Sequence, residues 1–210
     1  PYPGIIRNLI EILTKKPSDF LSYNKKACEI QKNKLKKLSD LSQNKNNGLF
    51  VFAHILIPHP PFLLDASGDC NSFSMHDPGS DLEANKHRYI EYMKFFNTQI
   101  LDIFDAMLKI NKNFIFIIQS DEGPDPCVYL DPCKDNWDLK TGNINAIYAS
   151  NKLKINENDL KTPINNFNYI YKYLFESDTQ TLEHVVYKYR TKEEDGAFDF
   201  EEINNFEIFD

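Results

Sequence analysis

No stretch of this sequence approaches the roughly 20 consecutive apolar residues that a membrane-spanning helix needs. Nor is there an excess of positive charge. The 24 Lys and Arg are outnumbered by 31 Asp and Glu, for a formal charge of -7, which excludes a dominant surface for nucleic acid or anionic lipid. The one lysine-rich stretch, KKACEIQKNKLKK at 25–37, reads as a solvated helix face. The opening PYPGIIRNLI lacks the charged, apolar, small-residue order of a signal peptide, and with no initial Met the chain is read as a processed product or an excised segment. Cysteine is scarce, four in 210 residues. Cys127 and Cys133, in DPCVYLDPC, would close a small disulfide only in an oxidising compartment, and they make a weak zinc signal. Cys28 and Cys70 read as free apolar thiols.

What is present has a clear order. Apolar residues from Gly4 to Leu13 predict a helix that Pro17 interrupts. Ser18 or Asp19 would cap a second, running to about Leu41, with Leu21, Ala27, Cys28, Leu35 and Leu38 inward. After a turn at NKNNG, the run LFVFAHILI at 49–57 has the composition of a strand covered on both faces. Pro58, Pro60 and Pro61 end it. Tyr89, Met93, Phe96, Ile100, Ile103 or Phe104, and Met107 then recur at spacings of three and four, which predicts one long amphipathic helix within 81–110.

FIFIIQ at 114–119 reads as the next strand. Strand, helix, strand makes a βαβ unit, with parallel strands whose C-terminal ends share one edge of the sheet. Ligands of open α/β sheets bind there. NINAIYA at 143–149 predicts a short strand, Pro163 starts a helix through Phe175, and the acidic end from 191 to 210 reads as a tail or edge element.

The chemistry-bearing residues lie at those strand ends. His59 is held between Pro58 and Pro60, so its ring is pre-aimed at low entropic cost. Asp121 and Glu122 are vicinal carboxylates before Gly123, and they call for a compensating cation or donors. His59, Asp121 and Glu122 are therefore the candidate metal ligands. His54, Asp65 and His76 would support them or touch substrate, with Asp69 and Asp77 in the same loop. Imidazole with carboxylate suits Zn²⁺ or Mn²⁺ better than Ca²⁺.

The phrases FVFAHILIPHPPFLLD, IIQSDEGP, DNWDLKTGNINAIYAS and TPINNFNYIYKYLFES, in that order, resemble segments of bacterial sulfatase-like proteins of the alkaline phosphatase superfamily. The resemblance spans about 49–190 and implies an α/β fold, a parallel-type sheet with helices on both faces. It also implies an extracytoplasmic or periplasmic, membrane-associated location and metal-dependent hydrolysis or transfer of sulfate or phosphate esters. Asp121 matches the aspartate ligand of the family's Asp-His-Gly turn and Glu122 stands at its histidine. His59 matches a metal- or substrate-binding histidine of related phosphoethanolamine transferases, and His54 the one shortly before it.

The family's nucleophile and first acidic ligand precede anything resembling this chain, and residues 1–48 read as a helical preface without them. Thr14 and Ser18 are ordinary helix-boundary residues. The expectation is thus the C-terminal portion of a sulfatase-like protein, incomplete on its N-terminal side, with no catalytic residue identified and a small anionic ester as substrate. The alternative is a non-catalytic relative that binds an anionic ligand or a partner protein at the same sheet edge.

Overall fold

The computed structural model describes residues 17–45, 48–71, 82–111, 113–124, 137–150, 162–191 and 198–203. The chain divides into two compact units, Pro1–Asn111 and Lys112–Asp210. The expected helix at 4–13, and His76, Asp77, Cys127 and Cys133, lie outside the described residues.

In the first unit, α1 (Pro17–Ser42) packs on α2 (Leu82–Ile110). The buried residues of α1 are Asn24, Cys28, Gln31, Leu35 and Ser42, spaced by three, four or seven, which places them on one face. Two long amides sit there because polar groups with partners can be buried; Gln31 Oε1 accepts the backbone N–H of Leu56 at 3.2 Å. On α2 the buried residues are Tyr92, Phe95, Ile100 and Ile103. The C-terminal half keeps the predicted stripe. The N-terminal half is turned by one residue, from Met93 and Phe96 to Tyr92 and Phe95, because Phe62 meets Tyr92 edge-on with ring centroids 6.5 Å apart.

Between the helices, Phe62, Leu63 and Leu64 complete the core, and 63–71 doubles back on itself. Asn71 N–H donates to Leu63 O at 2.8 Å and Asp65 N–H to Asp69 O at 3.1 Å. Gly68 has φ +86°, and a Cβ there would stand 2.7 Å from Phe95 Cε2, so glycine is required both for the turn and for the close approach. This seat delivers Cys70 to α1, where it forms a disulfide with the fully buried Cys28. The two cysteines read as free thiols are therefore paired.

The run 49–57 departs most from expectation. It forms no strand, and most of its large side chains are exposed. Ile57 alone of its residues is buried. The segment is held instead to α1 by Gln31 and by Lys34, whose Nζ donates to His54 O at 2.9 Å.

In the second unit, β1 (Ile115–Gln119) pairs antiparallel with β2 (Asn145–Ala149), from Ile115 opposite Ala149 to Gln119 opposite Asn145. The short α3 (Trp137–Thr141) lies between them in sequence. A single 3₁₀ turn at Pro163–Asn165 leads into α4 (Asn166–Phe175), and β3 (Val186–Thr191) pairs antiparallel with β4 (Phe198–Ile203). The described strands form two two-stranded antiparallel sheets. The expected α/β architecture, an extended parallel sheet with helices on both faces, is thereby overturned: β1 takes a later strand as its antiparallel partner, and the run 49–57 joins no ladder among the described residues.

The disulfide closes a loop across a sequence separation of 42. Loop-closure entropy at that length corresponds to about 4 kcal/mol. Denaturant unfolding of the oxidised protein, compared with Cys28→Ser/Cys70→Ser, is expected to show a loss of that order in the first unit.

Candidate functional site

Each residue singled out for metal chemistry has a definite place. His59 is exposed, and its Nδ1 contacts Pro60 O. His54 is exposed and its carbonyl is taken by Lys34. Both belong to the first unit, whereas Asp121 and Glu122 belong to the second. Those two acids are exposed, and Glu122 N–H donates to Asp121 Oδ1 at 3.1 Å. The glycine that follows lets backbone meet backbone rather than ligand. Gly123 N–H donates to Lys140 O at 2.7 Å, and a Cβ on Gly123 would lie 1.9 Å from Leu139 O.

Asp65 serves its own loop. Its Oδ1 accepts Ser67 Oγ–H at 2.7 Å and the backbone N–H groups of Ser67 and Asp69, both at 2.9 Å. The Ser67 hydroxyl first, then the Asp69 N–H, hold its carboxyl below the ordinary carboxylate value against a small opposing effect of burial, because each donor favours the charged form. Asp69 shares the cluster, accepting from Ser67 Oγ at 3.3 Å.

Among the described residues, one group of potential ligands gathers closely enough for a metal ion: Cys28, Glu29 and Cys70. Its two sulfurs are joined to each other, and a disulfide has no thiolate to offer. The expected divalent metal, Zn or Mn, is overturned on this ground, and with it the metal-dependent hydrolase or transferase.

A different constellation, unsuspected from the sequence, lies in the second unit. Thr162 Oγ1 is 2.7 Å from His184 Nδ1, and Asn165 Nδ2 is 3.4 Å from His184 Nε2. A hydroxyl against an imidazole has the outline of an activated nucleophile. The tautomer says otherwise. Asn165 Oδ1 accepts Leu182 N–H at 2.8 Å and its Nδ2 donates to Leu182 O at 2.8 Å, which fixes the amide orientation. The NH₂ therefore faces Nε2, which must accept, leaving the ring proton on Nδ1, donated to Thr162. A ring arranged so cannot take the Thr162 proton.

Its neighbour Asn166 is fully buried and joins the helix start to the sheet. Asn166 Nδ2 donates to Gln119 Oε1 at 2.8 Å and to Asn145 Oδ1 at 2.7 Å, while Asn145 Nδ2 donates back to Asn166 Oδ1 at 3.3 Å. This is a satisfied amide network, which specifies packing. The NINAIYA and PINNFN phrases held the signal for it: paired asparagines where apolar periodicity would put core.

Exposed apolar side chains of the first unit gather in the run 49–56. Phe50 and Phe52 are 75% and 79% exposed, and Leu49, Val51 and Leu56 are exposed beside them.

No protein-family model, no curated protein and no solved structure matches the chain. The resemblance to sulfatase-like proteins of the alkaline phosphatase superfamily therefore has no support, and the extended parallel sheet on which it depended is not among the described elements. Among the described residues, no helix is long and apolar enough to cross a membrane, as the lack of a long apolar run in the sequence leads one to expect.

Two outcomes follow from the polar contacts. Because the folded Asp65 carboxyl is lowered, its contribution is present above its unfolded value of about 4 and lost as pH falls through the folded one. Unfolding measured near neutrality and in acid is expected to show a shallower acid loss for Asp65→Asn than for the parent chain. Asn166→Ala is expected to cost about 2 kcal/mol in denaturant unfolding, since it strips the network of its hub.

Proposed function

We propose that this protein is a non-enzymatic interaction module that works in an oxidising compartment and binds a protein partner by adding the extended segment 49–56 to the open edge of that partner's sheet. The exposed apolar run carries this reading. A buried Phe side chain is worth about 1.5–3 kcal/mol relative to an exposed one, and two adjacent phenylalanines left in water forgo that gain. A covering strand recovers it and supplies backbone hydrogen bonds that the segment does not make within a ladder.

The segment is also prepared for pairing. Gln31 and Lys34 fix it at Leu56 and His54, so less chain entropy is lost when a strand lies down on it. Phe50 and Phe52 are two residues apart, the strand repeat, and would share one face of the added strand. The Cys28–Cys70 disulfide supports the compartment, because such bonds persist where thiols are not kept reduced. The net charge of -7 argues for a protein partner over nucleic acid.

Phe50→Ser/Phe52→Ser tests the reading. Unfolding free energy is expected to stay within about 0.5 kcal/mol of the parent chain, as for other exposed positions, while fluorescence of the hydrophobic probe bis-ANS falls sharply. A loss of about 3 kcal/mol or more, the cost of emptying a core phenylalanine site, would place these rings in a core and end the proposal.

A further inference from the structure

The disulfide of the first unit has one sheltered sulfur and one reachable one. Cys28 is 0% exposed on the buried face of α1, whereas Cys70 is half-buried at the end of the doubled-back loop. A thiolate that opens a disulfide must touch the sulfur it bonds to. Cys70 Sγ offers that access. Glu29, exposed on α1, sets a carboxylate against it, with Glu29 Oε1 3.6 Å from Cys70 Sγ. A disulfide sulfur has no proton to donate, so the contact places a fixed negative charge beside the bond.

That charge is not neutralised where it stands. Lys25, Lys26 and Lys32 lie three or four residues from Glu29, one turn away on the helix, yet among the described residues Glu29 pairs with none of them. Coulomb energy falls with distance, and salt screens the farther charges first. The carboxylate touching the sulfur therefore decides the local sign. A second acid adjoins it in sequence, since the exposed Asp69 directly precedes Cys70. Ser67 Oγ ties the loop's acids together, 2.7 Å from Asp65 Oδ1 and 3.3 Å from Asp69 Oδ2. An anion approaching Cys70 meets like charge on α1 and on the loop.

We propose that Cys70 is a site of thiol–disulfide exchange at which Glu29 selects the incoming thiol by charge, admitting thiols flanked by cationic groups and holding off anionic ones. The incoming thiolate bonds to Cys70 Sγ, the bond to Cys28 breaks, and its electron pair leaves on Cys28 Sγ, which takes up a proton from water. The thiol is the reductant. A second thiolate that attacks its sulfur in the mixed disulfide carries it away as a small disulfide and frees Cys70. Short of that second attack, Cys28 remains beside the mixed disulfide and closes the bond again, expelling the incoming thiol. The exchange site stands whether or not 49–56 takes a strand partner.

The rate of adduct formation at Cys70 of the full chain, read by peptide mass mapping of acid-quenched samples, tests this. Three thiols are compared, cysteamine, 2-mercaptoethanol and mercaptoacetate, whose thiolate forms are successively more negative by one charge. Each rate is divided by that of the same thiol with the uncharged bis(2-hydroxyethyl) disulfide, which removes intrinsic nucleophilicity. One unit charge at contact distance in water is worth about fivefold in rate. The ratios are thus expected to fall by about that factor at each step from cysteamine to mercaptoacetate at low salt, and to converge at high salt. Glu29→Gln should flatten the series and Glu29→Lys reverse it, with denaturant midpoints matching the parent chain. Equal ratios for the three thiols overturn the proposal, as does a series that survives Glu29→Gln. So does a rate that stops rising with thiol concentration, because the bond then opens only after the unit unfolds.

Discussion

The first unit depends on one covalent tie. Two helices and an irregular segment bury few large side chains, and such a small core leaves little margin over the entropy of ordering the chain. The Cys28–Cys70 bond fastens the 63–71 loop to α1, and that loop carries the side chains that fill the space between α1 and α2. Phe62, Leu63 and Leu64 precede the doubled-back turn directly. With them in place, Ile57 is buried and Gln31 reaches Leu56, so the exposed segment begins where the core stops. The cross-link thus governs the surface as well as the interior.

Much of the local structure was legible in the sequence. The helix at Leu82–Ile110, the strands Ile115–Gln119 and Asn145–Ala149, and the helical stretch from Pro163 to Phe175 all fall where periodicity and proline place them. These are properties of neighbouring residues. Strand pairing is not. LFVFAHILI has the composition of a buried strand, but composition cannot say whether another segment covers it. A central strand there would make β1 its parallel partner, whereas β1 pairs with the downstream NINAIYA.

The same non-locality hid the site. Placing His59 with Asp121 and Glu122 relies on a parallel sheet, which the described strands do not form. Asp65, expected to support the ligands or touch substrate, has its donors supplied by the Ser and Asp two and four residues on. The cysteine pairing was invisible for a related reason: Cys28 and Cys70 are 42 residues apart, and only the packing of α2 against the loop brings them together. Thr162 and His184 illustrate the opposite hazard. Their approach invites a catalytic reading, and only the orientation of Asn165, fixed by the backbone of Leu182, rules it out.

Gly68 bears on how the protein acquires its oxidised state. Four cysteines allow three complete pairings, and an oxidant by itself does not choose among them. The turn at Gly68 seats against the ring of Phe95, so the folded position of α2 is part of what holds Cys70 near Cys28. A bulkier residue at 68 would push the loop off that ring and leave Cys70 to search for other thiols. The native cysteine pairing is thus tied to the lack of a side chain two residues before Cys70.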